Sequence, residues 1–333
     1  MEIPNKHSLK ALLKWWQTWH TLPVLSWMRA ASFYRRGCFA QAVACYEQGL
    51  SGRPGHPARF CARLDLSYCL FRLGKLTEAE RQLKLVCSQV RDRQEAFVRL
   101  ARLQLWTGRP LDAAWTLRRA LRSLPANAEN LSYLLYAVLE HQGQTYLMTE
   151  AMKRIQELDD ESGDDELLQA VLARVDILRG DRQARVSLAA LAASSRAMLE
   201  VRILEAQTLL EEGDVAALRH ILQRAMQVDP ECPRVLSLLA LSYLQSGDEY
   251  NPQFALQHAV AACQKSCWLS ARELHILAEA YFHCGDNVSA LSVAVKAVHS
   301  GTRLLGNYSR LFELEQLIET IQNGVEPAKS GAA

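Results

Sequence analysis

The chain has 333 residues, 49% of them hydrophobic and 22% charged, with a formal net charge of +2. It has no window of about 18 uncharged apolar residues, which excludes a membrane-spanning helix, and its nine scattered cysteines exclude the compact disulfide framework of a small secreted domain. Glycine and proline are sparse, at 16 and 10 residues, so the composition favours helices. The odd number of cysteines indicates reduced thiols and a cytosolic-type compartment.

Charge is distributed unevenly along the chain. Residues 1–125 carry 21 Lys and Arg against 8 Asp and Glu, a net of +13, whereas residues 126–333 carry 17 against 28, a net of −11. These opposite fields favour acidic ligands, anionic lipid or nucleic acid for the first part of the chain and basic partners for the second.

The first predicted element is a short amphipathic helix over Ser8–Thr21, which Ser8 can cap. We favour a role in covering the open end of the helices that follow it. The alternative is contact with a membrane interface or a partner groove through its apolar side. Charges and a proline interrupt the segment, so it lacks the order of a signal peptide. The apolar side consists of Leu9, Leu12, Leu13, Trp16 and Trp19.

Glycines then recur along the chain at intervals of 37, 34, 35, 37, 33, 34 and 38 residues. Each glycine follows one apolar helical stretch and precedes another, where a positive φ ends a helix and lets the next one fold back. The spacing therefore predicts eight helical hairpins. These glycines are Gly37, Gly74, Gly108, Gly143, Gly180, Gly213, Gly247 and Gly285.

Small residues and prolines recur at matching places in the hairpins. Small side chains allow paired helices to approach closely, and a proline cannot continue a helix. Small residues follow the glycine at Ala42, Ala79, Ala113 and Ala290, and again seven residues later at Gly49, Ala120, Ala225 and Ala297. The prolines that end the second helix are Pro54, Pro125 and Pro230.

This pattern resembles the tetratricopeptide repeat, and the resemblance covers residues 23–302. It implies an all-α, right-handed α-solenoid of about eight helical hairpins. Residues 1–22 and a helix over 303–322 are predicted to cap the array, and residues 323–333 are predicted to form a disordered tail. The best copies are Phe33-Gly37-Ala42-Tyr46-Gly49-Pro54, Ala101-Gly108-Ala113-Leu117-Ala120-Pro125 and Ala278-Tyr281-Gly285-Ala290-Ala294-Ala297.

Some units depart from the family pattern. Arg185 and Met148 stand where a small residue is expected, and Gly247 is followed by a longer turn. These departures predict irregular or bent middle units. The acidic stretch over residues 159–166 indicates a solvated loop between units, and a cation site is the less favoured interpretation.

The resemblance implies that the first helix of each hairpin lines the concave surface. Projection with the 3.6-residue period concentrates aromatic and arginine side chains in the first four units. Flat rings bury much area at small entropic cost and guanidinium groups pair with carboxylates, so we expect a partner segment to bind there. Packing between hairpins is the alternative for each ring. The candidate binding residues are Trp27, Tyr34, Arg35, Tyr68, Phe71, Arg72, Arg99, Arg102, Trp106 and Tyr133.

The same projection gives the fourth unit Glu140 and His141 and gives the later units a more acidic or apolar surface. The family's carboxylate clamp needs Lys and Asn at set places in three successive units, and the first three units offer other residues there. A receptor for chaperone tails is therefore disfavoured. The later surface includes Arg174, Glu200, Gln207, Glu211, Arg272, His275, Glu279 and His283.

Cys263 and Cys267 lie one helical turn apart, and His258, His283 and Cys284 are further soft ligands for a zinc ion. We favour packing over zinc because Cys-x3-Cys within a helix lacks the tight turn of a zinc knuckle. The sequence has no Gly-rich phosphate loop, nucleophile elbow or His-Glu-x-x-His motif. We therefore expect neither catalysis nor a cofactor.

The sequence thus predicts a non-enzymatic scaffold, adaptor or dedicated chaperone that binds an acidic or carboxylate-bearing segment with apolar anchors. Stand-alone bacterial arrays of this family often support secretion, envelope or polysaccharide assembly, and this analogy suggests a cytoplasmic protein, with peripheral contact at the inner membrane as an alternative. Two other functions stay open. One is nucleic-acid binding through the basic first part of the chain, and the other is regulation of an enzyme.

Overall fold

The computed structural model describes helices and turns and, within the described residues, no strand. The predicted helix over Ser8–Thr21, Pro54, Gly143 and residues 159–164 of the acidic stretch lie outside these residues, as does the chain from residue 325 onward. The described residues are 23–51, 58–89, 94–141, 145–157, 165–194, 196–247 and 250–324.

Seventeen helices occur in these ranges. They are α1 Pro23–Arg35, α2 Phe39–Leu50, α3 Arg59–Arg72, α4 Leu76–Gln89, α5 Gln94–Trp106, α6 Pro110–Ser123, α7 Ala128–His141, α8 Thr145–Ile155, α9 Glu166–Leu178, α10 Arg182–Ala193, α11 Leu199–Glu212, α12 Val215–Val228, α13 Pro233–Leu244, α14 Pro252–Lys265, α15 Ala271–His283, α16 Asn287–Gly301 and α17 Leu311–Gln322. None of the helices in the described ranges combines the length and the apolar character that crossing a bilayer requires.

The first sixteen helices follow one another as eight hairpins, and α17 packs against α15 and α16. The first helix of a hairpin also contacts the first helix of the next one, as α7 contacts α9 and α13 contacts α15. This stacking is characteristic of an α-solenoid. The fold class predicted from the repeat is therefore confirmed.

Local chemistry explains where the helices begin and end. The carboxylate of Asp214 accepts a hydrogen bond of 3.0 Å from Ala217 N, and Asp286 accepts one of 3.0 Å from Ser289 N, which satisfies amides that the first turn leaves unpaired. Prolines at the start of α6, α13 and α14 need no such partner. Before Pro125 the backbone is extended, as proline requires of the residue that precedes it.

The repeated small residues lie where the sequence places them. Seven of the eight repeat glycines fall within the described residues, and each has a positive φ, between 68° and 139°. The small residues of the second helices have no room for a larger side chain, since Ala42, Ala113, Ala120 and Ala290 are completely buried. The interval pattern therefore predicted the turns and the buried small residues of the second helices.

Arg185 is the clearest departure from this pattern, and the structure shows what replaces the small residue. Its guanidinium lies 2.9 Å from Glu205 and 2.7 Å from Glu212, both on α11 of the next hairpin. Burial raises the pKa of Glu205, and the pairing with Arg185 partly offsets that effect. An ion pair thus stands where other units have close apolar contact.

The last helix begins at Leu311, later than the start predicted at residue 303. Gly306 and Asn307 both have a positive φ, at 72° and 62°, so the chain cannot continue as a helix through this stretch. The connection instead returns to α16, where Tyr308 N donates a 3.1 Å hydrogen bond to Gly301 O.

The chain divides into two compact units, here called the front unit, Met1–Leu100, and the rear unit, Ala101–Ala333. The boundary falls inside α5. Of the candidate binding residues, Arg102, Trp106 and Tyr133 belong to the rear unit and the others to the front unit.

Candidate functional site

A cluster of four aromatic rings lies at the ends of the first two hairpins of the front unit. The rings of Tyr34 and Tyr68 are 5.5 Å apart between centroids, Phe39 lies 6.1 Å from Tyr68, and Phe71 lies 6.4 Å from it. Tyr68 remains 36% exposed. The structure therefore brings three of the predicted residues together with Phe39, which the sequence analysis did not select. These four rings are called the front aromatic cluster below.

Arginines flank the front aromatic cluster. The guanidinium of Arg72 lies 5.3 Å from the centre of the Phe39 ring and donates a 3.3 Å hydrogen bond to Tyr68 Oη. Arg35 is exposed, and its Nε donates to Ala31 O at 3.4 Å on its own helix. The cation–π contact of Arg72 holds its guanidinium in place while the charge still faces water.

The other predicted residues of the front unit take part in internal contacts. Trp27 is only 6% exposed. Arg99 pairs with Glu95 at 2.6 Å and donates a 3.3 Å hydrogen bond to Leu64 O. Beneath this surface, burial raises the pKa of Asp65, although Tyr46 Oη donates to it at 3.2 Å.

In the rear unit, Arg102 and Tyr133 bind a glutamate of the same chain. Tyr133 is 2% exposed and its Oη donates a 3.0 Å hydrogen bond to Glu200 Oε1, which also lies 3.6 Å from Arg102. The Arg102 guanidinium lies 5.6 Å from the centre of the Tyr133 ring. Burial raises the pKa of the Tyr133 hydroxyl, and the Glu200 carboxylate raises it further.

The turn after Trp106 packs against the loop between α14 and α15. Trp106 Nε1 donates a 3.1 Å hydrogen bond to Lys265 O. A Cβ atom on Gly108 would lie 2.7 Å from Ser270 Cβ and 3.3 Å from Glu273 Oε2, so only glycine fits this contact. We call it the closing contact, because it joins the start of the rear unit to the seventh and eighth hairpins of the chain.

A second place joins the two ends of the rear unit. A Cβ atom on Gly306 would lie 2.5 Å from Leu111 Cδ2 and 3.7 Å from His141 Nε2. The loop before α17 therefore packs against α6 and α7. With the closing contact, it makes the rear unit a closed arrangement of hairpins whose first helices face one another.

Four first helices of the rear unit meet at Glu140, whose side chain is 2% exposed. Gln207 donates to its Oε1 atom, Arg272 donates to Oε2, and Arg234 Nε lies 3.3 Å from Oε2. Arg272 also donates to Glu273 at 2.9 Å. Burial alone would raise the pKa of Glu140, but the two guanidinium groups outweigh it and hold that pKa below its usual range.

Next to this network, His275 is buried at the interface with the last helix connection. Its Nδ1 atom lies 3.2 Å from Tyr308 Oη, and its Nε2 atom lies 3.2 Å from Glu279 Oε1. Burial lowers the pKa of His275 to about 3, and Arg310 acts in the same direction. The imidazole is therefore neutral at physiological pH.

No family model matches the chain, and a comparison with curated proteins finds no match. Among solved structures, the chain is similar to a monomeric mutant of IFIT1 with Gppp-AAAA, with a TM-score of 0.55, 13% identity and coverage of 92% of this chain and 75% of that one. The human IFIT1 dimer with m7Gppp-AAAA gives a TM-score of 0.50, 14% identity and coverage of 82% and 67%. A tetratricopeptide repeat protein from Parabacteroides merdae gives a TM-score of 0.38, 13% identity and coverage of 90% and 99%.

At these identities the likeness concerns the fold alone. The hairpins of the chain carry left-handed turn glycines and completely buried alanines at the positions where this repeat has them. The chain has the tetratricopeptide-repeat fold. In the rear unit, side chains of four first helices meet at Glu140.

Of the nine cysteines in this tetratricopeptide-repeat array, four are buried, four are partly exposed and one is exposed. Cys263 is completely buried, and burial raises the pKa of its thiol. Cys267 follows it at the end of α14 with a φ of 54°. Within the ranges that the structure describes, no group of three or more His, Cys, Asp or Glu side chains is arranged to hold a metal ion.

The sequence analysis missed three residues that these contacts use. Phe39 begins a second helix, Ser270 lies in a loop, and Arg234 stands in a unit whose first helix is otherwise apolar. One feature of the sequence does relate the two arginines, since Arg234 and Arg272 each occupy the second position of a first helix. Periodicity alone could not show that both face Glu140.

Proposed function

We propose that the chain is a non-enzymatic scaffold for protein–protein interaction and that its front unit binds an acidic segment of a partner protein. The observation that carries the proposal is the front aromatic cluster with Arg35 and Arg72 beside it. The fold is consistent with this role, because tetratricopeptide-type hairpins present a surface of first helices on which a segment can lie.

Two kinds of contact would hold such a segment. Its apolar side chains would bury the exposed part of Tyr68 and Met28 of α1, which is 64% exposed. Its carboxylates would pair with Arg72 and Arg35, which extend from the same two helices. Aromatic and arginine side chains are the residues that most often dominate binding energy at interfaces.

The remaining candidate residues make internal contacts and are not proposed to contact the partner. Trp27 and Arg99 position the front helices, because the first is buried and the second is paired with Glu95. Arg102, Trp106 and Tyr133 are engaged within the rear unit. Binding energy is therefore expected from Tyr34, Tyr68, Phe71, Arg35 and Arg72.

We also propose a reducing, cytoplasmic location and an adaptor or chaperone role in an assembly of bacterial type. The odd number of cysteines in the sequence, nine, supports the location. The contribution of Leu9, Leu12, Trp16 and Trp19 to membrane contact stays a prediction. Liposome flotation of the full chain, with and without Ser8–Thr21, tests it.

Nucleic-acid binding is the second candidate function. It is favoured by the basic first part of the chain and by the similarity to IFIT1, whose structures contain Gppp-AAAA and m7Gppp-AAAA. In the rear unit, however, Glu140, Glu200 and Glu273 already pair with the arginines of the inner surface. A phosphate backbone would find little uncompensated positive charge there.

The test compares the wild-type chain with the double variant Tyr68→Ala/Arg72→Ala as matched baits in a pull-down from the native host, read by mass spectrometry. We expect a stoichiometric protein that the wild type captures and the double variant loses. Titration of its acidic segment should show a loss of about 10-fold to 100-fold in affinity for the double variant, as two interface hot spots give.

Arg81→Ala is the matched control, because Arg81 is an exposed arginine on the second helix of the same front hairpin. It should bind as the wild type does. Equal capture of the partner by the double variant would place the binding surface elsewhere. Capture of nucleic acid, with an affinity that falls steeply with salt, would support the second candidate instead.

A further inference from the structure

The inner surface of the rear unit contains a set of donors that surrounds a single carboxylate. Gln207 lies in α11, and Arg234 and Arg272 are the second residues of α13 and α15, yet all three side chains lie against Glu140 of α7. Both oxygens of Glu140 are engaged, Oε1 by a hydrogen bond from the Gln207 amide and Oε2 by a hydrogen bond from Arg272, while Arg234 Nε lies 3.3 Å from Oε2 as an ion pair without a hydrogen bond. Two arginines and an amide around one carboxylate form the arrangement that proteins use to bind carboxylate ligands.

The network is closed to water. The side chain of Glu140 is 2% exposed, that of Arg272 is 13% exposed and that of Arg234 is 15% exposed. Arg272 also pairs with Glu273, which is completely buried. The four charged groups balance, so removal of Glu140 leaves a buried positive charge with donors that have lost their acceptor.

We infer that Glu140 is the built-in occupant of a carboxylate-binding site formed by Arg234, Arg272 and Gln207, and that it keeps the inner surface of the rear unit closed to acidic segments. The ligand class is a single carboxylate, either a free small anion or an acidic side chain. The inference shares no residue with the front aromatic cluster, so it stands or fails independently of the proposed function.

The experiment empties the site and supplies a carboxylate from solution. In chloride buffer, Glu140→Ala should lower the melting temperature by about 10 °C, because breaking a buried ionic network is costly. Sodium formate or acetate at the same ionic strength should restore at least half of that loss. Neither salt should change the melting temperature of the wild type from its value in chloride.

Two variants separate a binding site from general destabilisation. Glu140→Gln keeps the space filled with a neutral group, so it should melt lower than the wild type without recovery in acetate. Glu140→Ala/Arg272→Ala lacks half of the guanidinium pair and should also show no recovery. Glu150→Ala removes a partly exposed partner of Arg118 and serves as the matched control, with a small loss and no acetate effect.

A melting temperature of Glu140→Ala that is the same in chloride and in acetate would overturn the inference. Recovery of Glu140→Gln in acetate would also overturn it, and so would a melting temperature of Glu140→Ala equal to that of the wild type. If Glu140→Ala does not fold during expression, the yield on refolding in acetate and in chloride is compared. A higher folded yield in acetate supports the built-in occupant. Equal yields, including none in either salt, contradict it.

An acidic peptide identifies which form of the ligand the site accepts. A glutamate-rich peptide that binds Glu140→Ala more than 10-fold tighter than the wild type would show that the site takes side chains of a partner segment. Acetate recovery without peptide binding would limit the ligand to small anions and remove the autoinhibitory part of the inference.

Discussion

The closing contact of the rear unit makes Gly108→Ala a specific test of the structure. Gly108 has a φ of 68°, and a Cβ atom there would lie 2.7 Å from Ser270 Cβ. Gly213 occupies the same turn position with a φ of 76° and has nothing within 4 Å of an added Cβ atom. The two alanine variants therefore share the backbone strain and differ in the collision.

The magnitudes follow from these two terms. A non-glycine residue in the left-handed region costs about 1–2 kcal/mol, which both variants carry. Forcing a methyl group into a filled contact costs a further 1–3 kcal/mol or so, which only Gly108→Ala carries. We expect a loss of about 3–4 kcal/mol for Gly108→Ala and about 1.5 kcal/mol for Gly213→Ala.

Urea denaturation followed by circular dichroism measures both losses. Amide hydrogen exchange shows where in the structure stability is lost, because only Gly108→Ala should increase exchange in the loop around Ser270. Ser270→Gly in the Gly108→Ala background should restore part of the stability, since it removes the colliding atoms. Equal losses for Gly108→Ala and Gly213→Ala, without a change in exchange at Ser270, would show that the closing contact does not form in solution.

Three further predictions test other contacts. Burial lowers the pKa of His275 to about 3, against about 6.5 in the unfolded chain, so its contribution to stability is complete above about pH 6.5 and falls as the pH decreases. Between about pH 7.5 and pH 5, the free energy of unfolding should therefore fall by about 2 kcal/mol less in His275→Gln than in the wild type. Equal falls in the two proteins would refute the assignment. Arg185→Ala leaves the carboxylate of Glu205 buried without its partner and should cost about 2–3 kcal/mol in urea denaturation, part of which Glu205→Gln should recover. Chelators should leave the melting temperature unchanged if Cys263 and Cys267 only pack, whereas a fall of several degrees would support zinc.

The fold was predictable because its determinants repeat every 33–38 residues. Gly108, Ala113 and Pro125 act within one hairpin, and each has a local reason, a positive φ, a close helix contact or a helix end. The departure at Arg185 was visible in the sequence, but its partners on the next hairpin were not. A single charged residue does not reveal which of several neighbouring carboxylates it meets.

The candidate site was predictable only in part. The helical period identified Tyr34, Tyr68 and Arg72 as residues of one surface, and the structure brings them together. The period also placed Glu140 and Arg272 on the inner surface without indicating that they meet. Their meeting depends on the small rotation from each hairpin to the next, summed over four hairpins, which no local pattern contains.

At Glu140, charged side chains rather than apolar groups hold the first helices of the rear unit together. An apolar inner surface would bury as much area but would also accept any apolar segment that entered it. The carboxylate of Glu140 pairs with Arg234 and Arg272 only in one relative position of three hairpins, so the network selects a single closed arrangement. A segment that replaced Glu140 would have to supply a carboxylate at that same place. The requirement explains why a surface of the tetratricopeptide-repeat type, which in general is open to partners, can remain occupied by its own chain.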